Sequence, residues 1–233
     1  MAKTETEQNK NLFIETYKIG DLTMEAICYE EAVKDYYDEP SSSDSQVVIQ
    51  DLLIHHPLET ISLKSLLPSG WKLVDAGRSM ESDFRGPRAR RENKTVYLPL
   101  TPSVYYKFEY QFPGIDATGM RLGSLHEIVG HAAVYDLISN EDDKRLRVTV
   151  WLRNTALQRD LTPEEIEEYN DVFIADERNA WSAALNFYRN LLNQGINIEP
   201  EMTAKEVVTF AHGFLESFAI ENYYKIRRER LRA

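Results

Sequence analysis

Two histidines five residues apart, His126 and His131 of the segment HEIVGH, lie where apolar residues recur every three or four positions over several turns. That periodicity predicts a helix beginning near residue 117. On a regular helix of about 3.6 residues per turn, a spacing of five rotates the second ring roughly 140° from the first, whereas a spacing of four rotates it about 40°. If both imidazoles act on one ligand, the helix must be irregular. A one-residue π-bulge would return them toward one face, and Gly130, between them, is a permissive residue for it.

A His-Glu pair followed by a second His on a helix is how many hydrolases supply two imidazoles to zinc and a carboxylate, here Glu127, to the attacking water. The alternative is two helix histidines on a partly buried face. Catalytic zinc takes three protein ligands, so a third donor is expected on another element. Phe173, Glu177, Ala180, Ala184, Phe187 and Leu191 follow one stripe of a later helix, which turns Glu177 inward. An inward carboxylate needs a partner, either zinc or an arginine. Cys28 is the single cysteine. An intrachain disulfide and a thiolate zinc cluster are therefore excluded, and any metal must be held by His and carboxylate.

The 233 residues, 42% of them hydrophobic, are enough for one good core or two small ones, and one compact unit is expected. Lys and Arg number 27 against 38 Asp and Glu, a net charge of −11, which argues against nucleic acid and anionic membrane as partners. The opening MAKTETEQNK lacks the apolar run of a signal peptide, and no stretch of about 18 apolar residues follows. A cytoplasmic location is the expectation.

The pattern predicts an α+β chain, mainly α, in three parts: a tail over 1–11, a small mixed α/β part over 12–116, and a bundle of long helices over 117–233 that carries the metal site. In the front part, 22–39 mixes an apolar stretch with a helix, and PSSSDS at 40–45 is a loop. Val47 to Ile54 reads as a strand closed by His55, His56 and Pro57, Leu58 to Leu67 as a short helix, and Trp71 to Ala76 and Thr95 to Leu100 as strands. Pro99 places the last of these at a sheet edge, where an extended peptide could pair. In the rear part, helices are expected from about Asp143 to Leu157, from Thr162 to about Asn193, and after Thr203. The second of these opens with an N-cap, a first-position proline and a capping-box glutamate; the third opens on the Thr203/Glu206 pair and ends in Lys225, Arg227, Arg228, Arg230 and Arg232.

HEIVGH resembles the H-E-x-x-G-H motif of the dipeptidyl peptidase III zinc metallopeptidases, and DERNA at 176–180 resembles their second motif, E-E-x-R-A-E/D. The resemblance implies a zincin-like metallopeptidase. It makes His126, His131 and Glu177 the Zn2+ ligands, Glu127 the general base, and a peptide or protein the substrate. It covers these two segments alone. Asn179 stands where the family tends to have Arg, and Trp181 replaces its final acidic residue.

His212 on the last helix and Tyr135, four residues after His131, are further candidates, each able to hydrogen-bond a developing oxyanion, with His212 the stronger. Asp176 is a candidate to hold the second ring nitrogen of a ligand histidine. His55 and His56 read as loop residues. Arg85, Arg88, Arg90, Arg91 and Lys94 form a basic cluster that would either be a solvated loop or bind a substrate carboxylate or a partner's acidic face. Competing classes are a di-iron bundle, disfavoured because Glu127 and His131 are four apart rather than three, and a non-catalytic zinc-binding or helical interaction protein.

Overall fold

Alternation decides the first half of the chain. Leu22, Met24, Ala26 and Cys28 are buried while the residues between them are partly exposed, and in a strand successive side chains point to opposite faces. In a computed structural model, which describes residues 11–19, 22–32, 45–76, 87–91, 93–98, 100, 118–137, 142–200 and 202–217, this segment is strand β2 (Leu22–Ala32). The expected helix there is overturned within the described residues: the period of two outweighs the helix-favouring Glu and Ala. β2 forms a hairpin with β1 (Phe13–Ile19), in which Ile19 faces Leu22.

β3 (Ser45–His55) runs antiparallel to β2, with a bulge where Ile27 faces Asp51 but Cys28 faces Ile49. Gln50 is the extra residue, and it reverses the side-chain parity. Val47 and Ile49 before it, and Leu52 and Ile54 after it, therefore all reach the same core. The predicted helix at 58–67 is instead a three-residue strand, β4 (Thr60–Ser62), and a 3-10 turn over Lys64–Leu66. Asp51 accepts from Ser62 Oγ at 2.7 Å, which helps fold β4 back along β3.

β5 (Lys72–Asp75), β6 (Arg88–Arg90) and β7 (Thr95–Leu98) complete a seven-stranded sheet of order β1-β2-β3-β5-β7-β6, with β4 beside β3. Only the β5–β7 pair is parallel among the described strands. β7 is thus interior rather than the edge strand that Pro99 suggested, because the strand ends at Leu98. Among the described strands β6 is the edge beside β7, and its three residues are too few to register as a strand in the sequence.

The helical half begins with α1 (Thr118–Leu125), which runs into a π-helical segment (His126–Ala132) and then α2 (Ala133–Leu137). α3 (Asp142–Gln158) and α4 (Pro163–Tyr169) follow. The helix expected from Thr162 to Asn193 is interrupted by a second π segment (Asn170–Ile174) before α5 (Ala175–Asn193). Its start carries the predicted capping box, with Thr162 and Glu165 bonded reciprocally and Pro163 in the first turn. α6 (Ala204–Ser217) opens on the Thr203/Glu206 pair as expected, at 2.7 and 3.3 Å. The tail at 1–10, Arg85, Pro99 and the basic end at 225–232 lie outside the described residues.

One sheet face and the helices share a core. Ala26, Leu52, Leu73 and Leu98 from the sheet meet Leu122, Leu125 and Ile128 from α1 and the first π segment, together with Trp181 and Ala184 from α5. Each large aliphatic side chain among these contributes about 1.5–3 kcal/mol by leaving water. The first π segment packs against β6, β7 and α5. A fully buried ion pair, Arg121 to Glu199 at 2.6 Å, ties α1 to the turn after α5. No helix among the described residues is long and apolar enough to cross a membrane.

Candidate metal centre

In a π segment the backbone bonds run from i to i+5, so residues five apart are brought over one another. This is the geometry HEIVGH adopts. The His126 and His131 rings lie edge to face with centroids 4.5 Å apart. The irregular helix that the spacing requires is present, but the part played by Gly130 differs from simple permissiveness. Its φ is not positive, unlike those of Gly70 and Gly195. A Cβ at Gly130 would lie 2.6 Å from the Ala180 carbonyl oxygen and 2.8 Å from Ala180 Cα and Cβ. Glycine is needed there because the π segment presses directly on the backbone of α5.

That close approach delivers the third donor. Glu177 lies one turn before Ala180 on α5, with Trp181 and Ala184 continuing the buried face. Of the predicted stripe, Glu177, Ala180, Ala184 and Leu191 are buried; Phe173 and Phe187 are partly so, and Trp181 and Tyr188 fill the remaining inward positions. Glu177 Oε2 lies 3.3 Å from His126 Nε2, and Oε1 lies 3.3 Å from His131 Nε2. One donor atom from each residue can be chosen so that all three lie within 4.8 Å of one another.

The donor types suit zinc. Zinc–nitrogen bonds of about 2.0–2.1 Å place neighbouring ligand atoms roughly 3.3–3.4 Å apart, and each imidazole Nε2 stands 3.3 Å from an oxygen of Glu177, His126 from Oε2 and His131 from Oε1. His126 Nε2 and Glu177 Oε2 are buried and face each other at 3.3 Å without the geometry of a well-formed hydrogen bond, and neither has another partner among the described residues. Buried polar atoms left in this way are costly unless something else engages them. His126, His131 and Glu177 are 3%, 7% and 6% exposed, so water does little of that.

Glu127 reaches across to the sheet. Its Oε2 accepts from the Ala89 amide of β6 at 2.6 Å, and its Oε1 lies 3.3 Å from His126 Nδ1. The carboxylate at the second nitrogen of His126 is therefore Glu127; Asp176, the sequence candidate for such a role at either ligand histidine, is half-buried beside Glu177. The imidazoles are also held by their faces: His126 stacks on Trp181 at 4.3 Å and 19°, and His131 on Tyr135 at 5.4 Å and 27°.

His212 is not in this cluster. It is exposed on α6 and lines a cavity of about 310 Å³ with Arg178, Trp181, Ser182 and Leu185. His55 lies near Glu25 and Thr60 on the sheet, and the His56 ring accepts from the Leu58 amide, so both serve the β3–β4 turn. The basic cluster divides. Arg88 and Arg90 lie over the Tyr97 ring on the sheet face away from the main core, while Lys94 pairs with Asp136 at 3.0 Å. The features that sequence reasoning missed are the Ala89 amide and the Trp181 stack. The second was legible, since Trp181 lies four residues after Glu177 and so shares its helix face.

Burial, the largest single influence on His126, pushes its pKa down, but hydrogen bonds and charge from Glu127 and Glu177 outweigh it and raise it from 6.5 to about 9. Burial likewise pushes Glu177 up, but the charges and hydrogen bonds of His131 and His126 prevail and hold it well below the usual carboxylate range. The raised His126 stabilises the metal-free fold fully below about pH 6.5 and ceases to do so as pH rises through 9; the depressed Glu177 stabilises it above about 4.5. Metal-free protein should therefore be most stable between these limits and weaken toward pH 9. Zinc must displace the His126 proton, so its affinity should climb by about tenfold per pH unit from 7 to 9 and then level. Chelator competition across that range checks the slope, and a flat profile would contradict the protonated apo cluster.

No protein-family model, curated protein or solved structure matches the chain.

Proposed function

We propose that the chain is a cytoplasmic zinc-dependent hydrolase of peptide bonds, with His126, His131 and Glu177 as metal ligands and Glu127 as the acid–base residue. The observation that carries this is the convergence of two imidazoles and one carboxylate within 4.8 Å in a buried site. Among the described residues three donors meet there, the number that catalytic zinc sites use with a fourth position left for water or substrate, whereas structural sites take four. Zinc held there would supply Lewis acidity and a water whose pKa falls to about 7.

Glu127 is the residue assigned to proton transfer in this reading, taking the proton from water and returning it to the leaving amine. It stands between the ligand His126 and the edge strand β6. A short edge strand bordering the helix with both histidines supports a zincin-like arrangement, and an edge can hold an extended peptide by backbone pairing. The preference for a peptide over other amides rests on the likeness of HEIVGH and DERNA to the dipeptidyl peptidase III motifs.

A second reading is a zinc site that braces the helices against β6 without turnover. The burial of all four residues, none more than 7% exposed, and the engagement of both Glu127 oxygens favour it. Metal analysis with a peptide-library assay separates the two. The hydrolase is expected to carry about one zinc per chain and to cleave, and His131→Ala to purify with little metal. Zinc without cleavage selects the bracing role, and full zinc in His131→Ala would remove the ligand assignment altogether.

A further inference from the structure

We propose that Trp181 is a positioning residue of the metal centre, its indole face fixing the plane in which the His126 imidazole presents Nε2 to the ion. This rests on the zinc-site reading above. A ligand imidazole keeps one soft rotation about its ring bond, which other metal sites restrain through a hydrogen bond at the second nitrogen. Here that contact is the 3.3 Å approach of Glu127 to Nδ1, a long one. The broader restraint is the near-parallel indole at 4.3 Å and 19° on one side, with the His131 ring edge-on at 4.5 Å and 78°.

The indole is itself immobilised. Trp181 is 2% exposed, and from α6 Phe210 packs on it at 5.8 Å and 77° and Phe214 at 5.4 Å and 54°. Tilting His126 would require Trp181 to move, and moving Trp181 would disturb the α5–α6 contact. α6 thereby reaches the metal centre through two layers of aromatic rings without supplying a ligand.

A core-filling role explains Trp181 less well. Its Nε1 is buried with no partner among the described residues, which a phenylalanine would avoid while still filling apolar space. What tryptophan adds is a wider flat face against the imidazole. A metal-bound imidazole also carries more positive character than a free one, and the face of an indole favours positive charge.

The test compares wild type, Trp181→Phe and Trp181→Leu as full chains stripped of metal. Zinc affinity is measured by chelator competition, ligand geometry by the visible bands of the Co2+-loaded protein, and folding by circular dichroism and melting of the metal-free forms. Trp181→Leu, which keeps apolar bulk but no flat face, is expected to bind zinc about 10–100-fold more weakly, the range for loss of a partner that orients a ligand, with altered Co2+ bands. Trp181→Phe should restore most of the affinity and the wild-type bands.

Unchanged affinity and bands in Trp181→Leu would overturn the proposal, and so would equal losses in both variants that track their melting temperatures. Should Trp181→Leu not fold, the share of emission that disappears in Trp181→Phe supplies the second readout. In wild type, one equivalent of Co2+ should quench that share, and its persistence would also overturn the assignment. A wild type that binds neither zinc nor Co2+ instead overturns the metal centre itself, which distinguishes the two failures.

Discussion

Gly130→Ala is expected to cost the protein both stability and its metal, a large effect for the addition of one methyl group. The new Cβ would meet the Ala180 carbonyl oxygen at 2.6 Å and Ala180 Cα at 2.8 Å. These are backbone atoms of a helix, so no rotamer change relieves the clash, and the π segment and α5 must separate. Overpacking typically costs about 1–3 kcal/mol and sometimes more, and a clash against backbone belongs at the upper end. The separation also widens the gap between His131 and Glu177, now 3.3 Å, so zinc affinity should fall by at least about 10–100-fold, as when the support of a ligand is lost. Gly213→Ala is the internal control. It lies in α6, where an added Cβ meets nothing within 4 Å, and alanine in a helix is favoured over glycine by about 1 kcal/mol. Thermal melting with zinc titration reads both variants. Gly130→Ala with wild-type melting and affinity would mean that the close packing of HEIVGH on α5 does not set the site.

How far the sequence carries depends on whether a feature is local. The five-residue gap between His126 and His131 requires an irregular helix once both rings are assigned to one ligand, and the caps at Thr162 and Thr203 follow from residue chemistry at fixed offsets. The inward face of Glu177 follows from helical period in the same way. What escaped is non-local or too short. β6 is three residues long and exists through its pairing with β7 and its contact with the helix; nothing in Arg-Ala-Arg announces a strand. β3 is legible as a strand from its branched apolar run, but the bulge at Gln50 that turns both of its halves to one core is not, and the helix-favouring glutamates of β2 mask an alternation that prevails in the fold. Gly130 was legible as unusual but not for its actual cause, since contact with Ala180 links residues fifty positions apart. The partner of Glu127 is a backbone amide, which no side-chain pattern encodes.

That amide shapes the second large expectation, for Glu127→Gln. If Glu127 served only as the acid–base residue, glutamine would leave the metal untouched and remove turnover, by about 10²–10⁴-fold for a lost proton-transfer group. The surroundings impose a second cost. Oε2 accepts from the Ala89 amide at 2.6 Å and Oε1 faces His126 Nδ1 at 3.3 Å. When Nε2 of His126 is a ligand, Nδ1 carries the proton, so both neighbours of the carboxylate are donors. Glutamine offers one acceptor and one donor, and whichever way it turns, an N–H meets an N–H. Zinc affinity should therefore also fall, by about 10–100-fold, and rates must be compared at saturating zinc. Under that condition the two roles separate cleanly. Turnover that remains hundreds of times slower identifies Glu127 as the proton carrier. Turnover restored by added zinc to within a few-fold of wild type would confine Glu127 to orienting His126, and another group would have to move the proton.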